Sequence, residues 1–319
     1  MRLSSRCALL LSATLLFASG AHAQAFRAYI ASSGNDANPC TLQAPCRLLP
    51  AALAAIANGG EVWMLDSANY NTGTVTITKS VSVLAVPGAV GSLLAIADTP
   101  AISIPAAGLR VGLRNLVITN LAGNFGANSH GVRMDGISNL TIESSLLANL
   151  PGDGVRVIGG GTLKIVNSTL RYNGGDGGGR AVRLVNGAIA TIANTQMIGN
   201  GGGVLAAGDA AASTTVTIVD SLISGGFRGV SLGGTPVAGI HIRATIVRST
   251  IEGTEIGLLI QTNQPGSSAE AEIGGSVIVN NLTAWGISGT DARILSLGNN
   301  LVSGNVDPPS GTLTALMPM

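Results

Sequence analysis

The stretch GVRMDGISNLTIESSLLAN, residues 131–149, is followed by GVRVIGGGTLKIVNSTLRY, residues 154–172, and the second is the first rewritten 23 residues on. The copies continue down the chain in three apolar rows. One row is Gly131-Val132, Gly154-Val155, Ala181-Val182, Gly203-Val204, Gly229-Val230, Gly257-Leu258 and Gly286-Ile287. A second is Ile142, Ile165, Ile192, Ile218, Ile246, Ile273 and Leu297. The third is Leu147, Leu170, Met197, Ile223, Ile251, Ile278 and Val302, with gaps of 23, 27, 26, 28, 27 and 24 residues. Each row sits in a short alternating segment such as Leu140-Thr141-Ile142, the period-2 pattern of a strand with one buried face. Three short strands per copy cannot bury their apolar sides alone, so each copy must stack on the next. The fold expected is all-β, a right-handed parallel β-helix of about ten three-strand coils.

Working outward, Thr74 to Leu84 and Ile102 to Ile118 read as earlier, less regular coils. Asn173, Asn200, Asn281 and Asn305 recur three residues after the third row, with Asn120 in the same place upstream. Asn tolerates left-handed backbone and can bond to its stacked copy, so this ladder reads as a corner device. An open solenoid end exposes core and strand edges unless it is covered. Pro50 to Asn58 starts at Pro, stops before Gly59-Gly60 and sets Leu53 and Ile56 on one side, which predicts a short capping helix. The organisation expected is a signal peptide over 1–23 and one β-helix domain over 24–319. Within it, 24–73 form the cap region, 74–305 the coils and 306–319 a tail.

The chain has 319 residues, 46% of them hydrophobic, 10% charged and 45 of them glycine. That much apolar content excludes disorder, and repeated tight turns account for the glycine. Arg2 and Arg6, the apolar run Ala8 to Ala18 and Ala21-His22-Ala23 before Gln24 form a bacterial-type secretory signal. The run is about half what a spanning helix needs, so export to periplasm or medium is expected, with no membrane span in the mature chain. Without the signal, 15 basic and 16 acidic side chains remain, which argues against a nucleic-acid partner. Cys40 and Cys46 are expected to close a small disulfide loop in an oxidising compartment, a two-thiol metal site being the weaker alternative.

The opening Tyr29-Ile-Ala-Ser-Ser-Gly-Asn-Asp, Asn38-Pro-Cys, Ala44-Pro-Cys-Arg47, the Ala-rich helix, Gly59-Gly-Glu-Val-Trp-Met-Leu65 and Thr76-Ile-Thr-Lys-Ser80 carry a resemblance. Together with the coils, they resemble bacterial secreted right-handed β-helix repeat proteins of the pectin-lyase-like superfamily. The resemblance implies architecture over almost all of the mature chain. It does not imply one activity, because that superfamily holds lyases, hydrolases, esterases, epimerases and adhesins.

For chemistry, a lyase-type Ca²⁺ site needs carboxylates at the same outward position on adjacent coils. Asp135, Asp153 and Asp176 instead occupy different rows, so no cofactor is expected and Ca²⁺ remains a weak alternative. The hydrolases of the superfamily have a Gly-His-Gly element, echoed here only by Ser129-His130-Gly131, without the paired carboxylates of the usual acid–base mechanism. Gly174 to Gly179 occurs once and is not a tandem Ca²⁺ repeat. What stands out is Arg133, Arg156 and Arg183, each following a buried Val, which places three guanidinium groups outward on consecutive rungs. Stacked about 4.8 Å apart, they repel unless carboxylates or a bound anion compensate. One reading is a solvated Arg/Asp ladder with Asp135, Asp153 and Asp176. The other is an acidic-glycan strip bordered by His130, since Arg offers planar bidentate donors. The corners before Ile218, Ile246 and Ile273 are longer and contain Asp209, Arg243 and Glu270. The favoured function is a non-catalytic carbohydrate-binding or surface-interaction protein with an acidic polysaccharide as partner. The alternative is a polysaccharide lyase or glycoside hydrolase acting on an acidic glycan. The oligomeric state and the catalytic residues are not assigned.

Overall fold

The computed structural model describes residues 24–316 apart from 122, 124–125, 176–177, 209–211 and 234–237. The expected signal segment, Asp176 and Asp209 therefore lie outside the described residues. The chain winds as a right-handed parallel β-solenoid of about ten turns. Three parallel sheets hold twelve, nine and ten strands among the described residues, and each turn adds one strand to each sheet. Like stacks on like: Ile142 pairs with Ile165, which pairs with Ile192, and Val132 with Val155 and then Val182. The third row is in register from Leu147 through Leu170, Met197, Ile223, Ile251 and Ile278 to Val302. All these side chains except Val302 are buried, so the core is a column along the axis.

The glycines of the first row have a steric reason. A Cβ at Gly131, Gly203, Gly229 or Gly257 would lie 2.5, 2.3, 2.5 or 2.5 Å from a carbonyl oxygen of the next coil. Register differs from the sequence reading in the last turn. Leu258 pairs with Trp285, so Ala284-Trp285 and not Gly286-Ile287 ends the first row, and Ile273 pairs with Ser296, not Leu297. Leu297 turns aside at the corner and is 39% exposed.

The corner asparagines bond to their stacked copies as expected, Asn173 N–H donating to Asn200 Oδ1 and Asn281 Nδ2 to Asn305 Oδ1, but they do not carry the left-handed backbone. Asn173, Asn200 and Asn281 are buried, and the left-handed residues are those just before them: Tyr172, Gly199 and Asn280, with Gly304 before Asn305. Each Asn side chain points inward and bridges coils. Asn173 Oδ1 accepts from Leu150 N–H and its Nδ2 donates to Leu147 C=O, and Asn281 repeats this with Thr254 and Ile251. The opposite corner carries a second ladder. The hydroxyls of Ser168, Ser221, Ser249 and Ser276 accept from the N–H of Ser145, Thr195, Ser221 and Ser249 in the preceding coil.

At the N-terminal end the helix runs Leu49–Ala55, shorter than Pro50 to Asn58, because Ile56 already begins the strand Ile56–Met64. Gly59-Gly60 forms a register shift in that strand's pairing with Ala25–Ile30 instead of a helix stop. Leu49, Ala52 and Leu53 are buried from the helix, which packs on strands Ala25–Ile30, Ile56–Met64 and Val75–Thr76. Cys40 and Cys46 are disulfide-bonded beside it. Strand pairing continues to Ala315, beyond the last full coil.

Candidate anion-binding groove

The nine-stranded sheet positions the candidate residues. Strands Val132–Met134, Val155–Val157 and Val182–Leu184 bury both flanking apolar residues and turn the central Arg outward. Arg133 pairs in register with Arg156, and Arg156 with Arg183. The same row then continues as Leu205 and Ser231. Two further arginines join this wall, Arg180 from the corner ahead of Val182–Leu184 and Arg228 as the first residue of the strand Arg228–Leu232. Arg228 pairs with Gly202 of the preceding coil, and the Arg180 side chain lies across that same glycine. A Cβ on Gly202 would sit 2.7 Å from Arg180 Cδ, 2.8 Å from its Nη1 and 3.0 Å from its Nε. Arg156, Arg180, Arg183, Arg228, Ser231 and Gln261 line a cleft of about 300 Å³.

The carboxylates divide unevenly. Asp135 accepts both of its bonds from Arg133 Nε, each 3.0 Å, on its own strand. Asp153 is 1% exposed beneath the groove. Its Oδ1 accepts from Arg180 N–H at 2.8 Å and its Oδ2 from Arg183 Nε–H at 2.8 Å, with Arg156 Nη1 at 3.7 Å. His130 is also buried and lies 3.7 Å from Asp153 Oδ2 through Nδ1. That contact is not an ion pair, because Nδ1 accepts the Asp153 backbone N–H at 2.8 Å and the ring proton is then on Nε2. Burial pushes the His130 pKa down to about 4, and Arg156, Arg133 and Arg183 reinforce this against the pull of Asp153. Burial also lowers Arg156 and Arg180, Arg180 further through Arg183 and Arg228, yet guanidinium stays cationic at neutral pH. Three of these cations keep a buried Nε–H without an acceptor, those of Arg156, Arg180 and Arg228, and Ser231 Oγ is likewise unpartnered. The Arg228 guanidinium lies 4.8 Å from the ring of half-exposed Phe227.

The structure thus brings Arg156, Arg183, Asp153 and His130 together and leaves Arg133 and Asp135 as a self-contained pair at the edge. Sequence reasoning missed Arg180 and Arg228, although both immediately precede the Ala181-Val182 and Gly229-Val230 steps of the first row. A Ca²⁺ ion needs several free carboxylate oxygens. Asp153 has both of its oxygens engaged among cations, so the residues present do not fit one. A second cleft on the twelve-stranded sheet holds buried Glu270 between Arg243 and Arg293, with His241 Nδ1 2.8 Å from Ser268 Oγ. Arg243 and Glu270 lie there on strands His241–Val247 and Ser268–Gly274, not in the long corners.

A protein-family model described as right handed beta helix region matches residues 106–264. The pectate lyase Pel9A aligns over 90% of this chain and 78% of its own, at 17% identity and a TM-score of 0.63. The chain has a right-handed parallel β-helix fold. Pectin methylesterase from carrot matches this β-helix over 91% of it and 88% of the esterase, at 9% identity and a TM-score of 0.54. The enzymatically active domain of bacteriophage CBA120 tailspike protein 2 matches over 84% of the β-helix and 40% of its own chain, at 13% identity and 0.52. No curated protein sequence matches the chain. At these identities the likeness is one of fold.

Proposed function

We propose that this β-helix is a non-catalytic receptor for an acidic polysaccharide, held along the arginine groove. The observation that carries this reading is an imbalance of charge. Arg27, Arg114, Arg133, Arg243, Arg248 and Arg293 are matched by five carboxylates. Among the described residues, two of the four groove arginines, Arg156 and Arg183, pair with a carboxylate, and both pair with the same one, Asp153. Among the described residues three positive charges are therefore in excess on one wall of a nearly neutral chain, and stacked guanidinium groups are relieved by an external anion. The two groove ends, Arg156 and Arg228, are three coils apart, about 14 Å along the axis, which suits a polymer more than a single small anion. Binding is favoured over catalysis because Asp153 and His130 are spent on each other and on Arg180 and Arg183. Neither offers a free oxygen or nitrogen to act as a base at the surface. Two of the similar structures are named for pectate and pectin, which makes polyuronates the first polymers to test.

Purified protein is mixed with a panel of polyuronates and other acidic glycans, following retention and the appearance of unsaturated or reducing ends together. Saturable retention without product is expected, weakened by salt and by Arg156→Gln with Arg228→Gln. Product that accumulates with time would show an enzyme instead. Export belongs to the same proposal. It is supported by the Cys40–Cys46 disulfide. Among the described residues no helix is long and apolar enough to cross a membrane.

A further inference from the structure

We propose that the corner half of the groove, Arg180, Arg228, Arg183 and Ser231 around Gly202, is a seat for a tetrahedral oxyanion ester on the glycan, a sulfate or a phosphate, in preference to a carboxylate. This rests on the acidic-glycan reading and specifies its headgroup. Asp153 already takes Arg183 Nε–H and the Arg180 backbone N–H, so the groove has no further carboxylate-shaped demand at that point. What remains unpartnered around Gly202 is the buried Nε–H of Arg180 and of Arg228 and the Ser231 hydroxyl, on three separate side chains. A carboxylate has two oxygens in one plane and is satisfied by the fork of a single Arg. A sulfate or phosphate ester has three terminal oxygens that diverge, and it can accept from several side chains at once.

Gly202 supplies the room. The coils on either side carry Arg at the corresponding corner, and the Arg180 side chain occupies the space that a Cβ would fill. Two like-charged guanidinium groups are thereby held next to each other, and Arg180 is destabilised as a cation by burial, Arg183 and Arg228. An arrangement that brings cations together where one small carboxylate cannot reach them all is relieved best by a compact anion of high charge.

The test uses one neutral backbone with three headgroups: dextran sulfate, dextran phosphate and carboxymethyl-dextran, matched in charge density and chain length. Dissociation constants are measured for the full protein, for Gly202→Ala, for Arg228→Gln and for Arg114→Gln, an exposed cation on another face. The Gly202→Ala Cβ meets only a flexible side chain, so the fold should persist, and a circular dichroism melt checks it. Sulfate or phosphate dextran is expected to bind at least about tenfold more tightly than carboxymethyl-dextran. Gly202→Ala and Arg228→Gln should shrink that preference to about threefold or less, and Arg114→Gln should leave it alone. The tighter of the two esters identifies the headgroup. Equal affinity for all three dextrans, or a preference that survives both groove variants, overturns the seat while leaving acidic-glycan binding in place. Failure of every dextran to bind overturns both.

Discussion

Replacing Asp153 by Asn should weaken the fold and strengthen the site together, because this carboxylate competes with the ligand for the same guanidinium groups. Asp153 is 1% exposed and accepts two charge-assisted bonds of 2.8 Å. In the Asn variant the amide oxygen can keep the Arg180 N–H, but its NH₂ then faces Arg183 Nε–H, donor against donor. Breaking a fully buried pair costs about 3–5 kcal/mol. Here the Arg183 and Arg156 side chains are 25% and 33% exposed, so solvent takes up part of the charge and the lower end, about 3 kcal/mol, applies. With an unfolding entropy of roughly 0.6 kcal/mol/K for a chain of this length, the melting temperature falls by about 5 °C. For binding, deleting one negative charge roughly 8 Å from the anion, at an effective dielectric of about 40, gives about 1 kcal/mol. That is about fivefold tighter affinity. Circular dichroism melts and fluorescence anisotropy with a labelled acidic glycan read the two effects. An unchanged melting temperature refutes the buried bridge, and an affinity that falls or stays level refutes the competition.

Two further perturbations test the neighbouring parts. His130 has a folded pKa of about 4 against an ordinary 6.5, so the unfolded chain takes up its proton first as pH falls. The stability linked to it is complete above pH 6.5 and is lost progressively towards pH 4, about 3 kcal/mol in all. His130→Asn keeps an acceptor for Asp153 N–H without titrating, so its stability curve over that window should be flatter than the parent's by this amount. Parallel urea-unfolding curves would sink the assignment. Asn281→Leu strips partners from the Thr254 N–H and the Ile251 carbonyl inside the corner, at about 3 kcal/mol for two buried groups. Hydrogen exchange should quicken around Thr254 and remain unchanged in the N-terminal coils, since each turn touches only its neighbours. Uniform acceleration along the solenoid would contradict this.

Most of the fold was legible because parallel stacking repeats the same residue class at the same place, as in Leu147 to Val302, where all seven positions pair as the spacing implied. Where two solutions satisfied the pattern, it misled. Trp285 and Ile287 are two apart and share a face, so either could stand as the row's last member, and only the pairing with Leu258 decides. The helix end failed similarly, because Ile56 suits a helix face and a strand's buried face equally. The Asn ladder was legible as a period and as bonding between stacked copies, but not in its backbone, since the left-handed conformation belongs to the residue before it, including Tyr172 at φ 56°.

The groove was half legible for a related reason. Arg133, Arg156 and Arg183 lie within strands, where alternation fixes direction, so their shared outward row follows from the sequence. Arg180 lies in a corner and Arg228 at the first position of its strand, beside corners whose lengths vary, and Gly202 stands between them with no side chain. In a parallel β-helix every outward row tends to become a ladder, which spreads one chemistry evenly along the axis. Specific recognition has to come from departures from the ladder. Among the described residues the Arg row departs in this way: it gives way to Leu205 and Ser231, and charge is carried instead by Arg180 and Arg228 on either side of Gly202. On the proposed reading, a cluster of cations at the end of a linear strip would distinguish both a polymer's direction and the headgroup it carries.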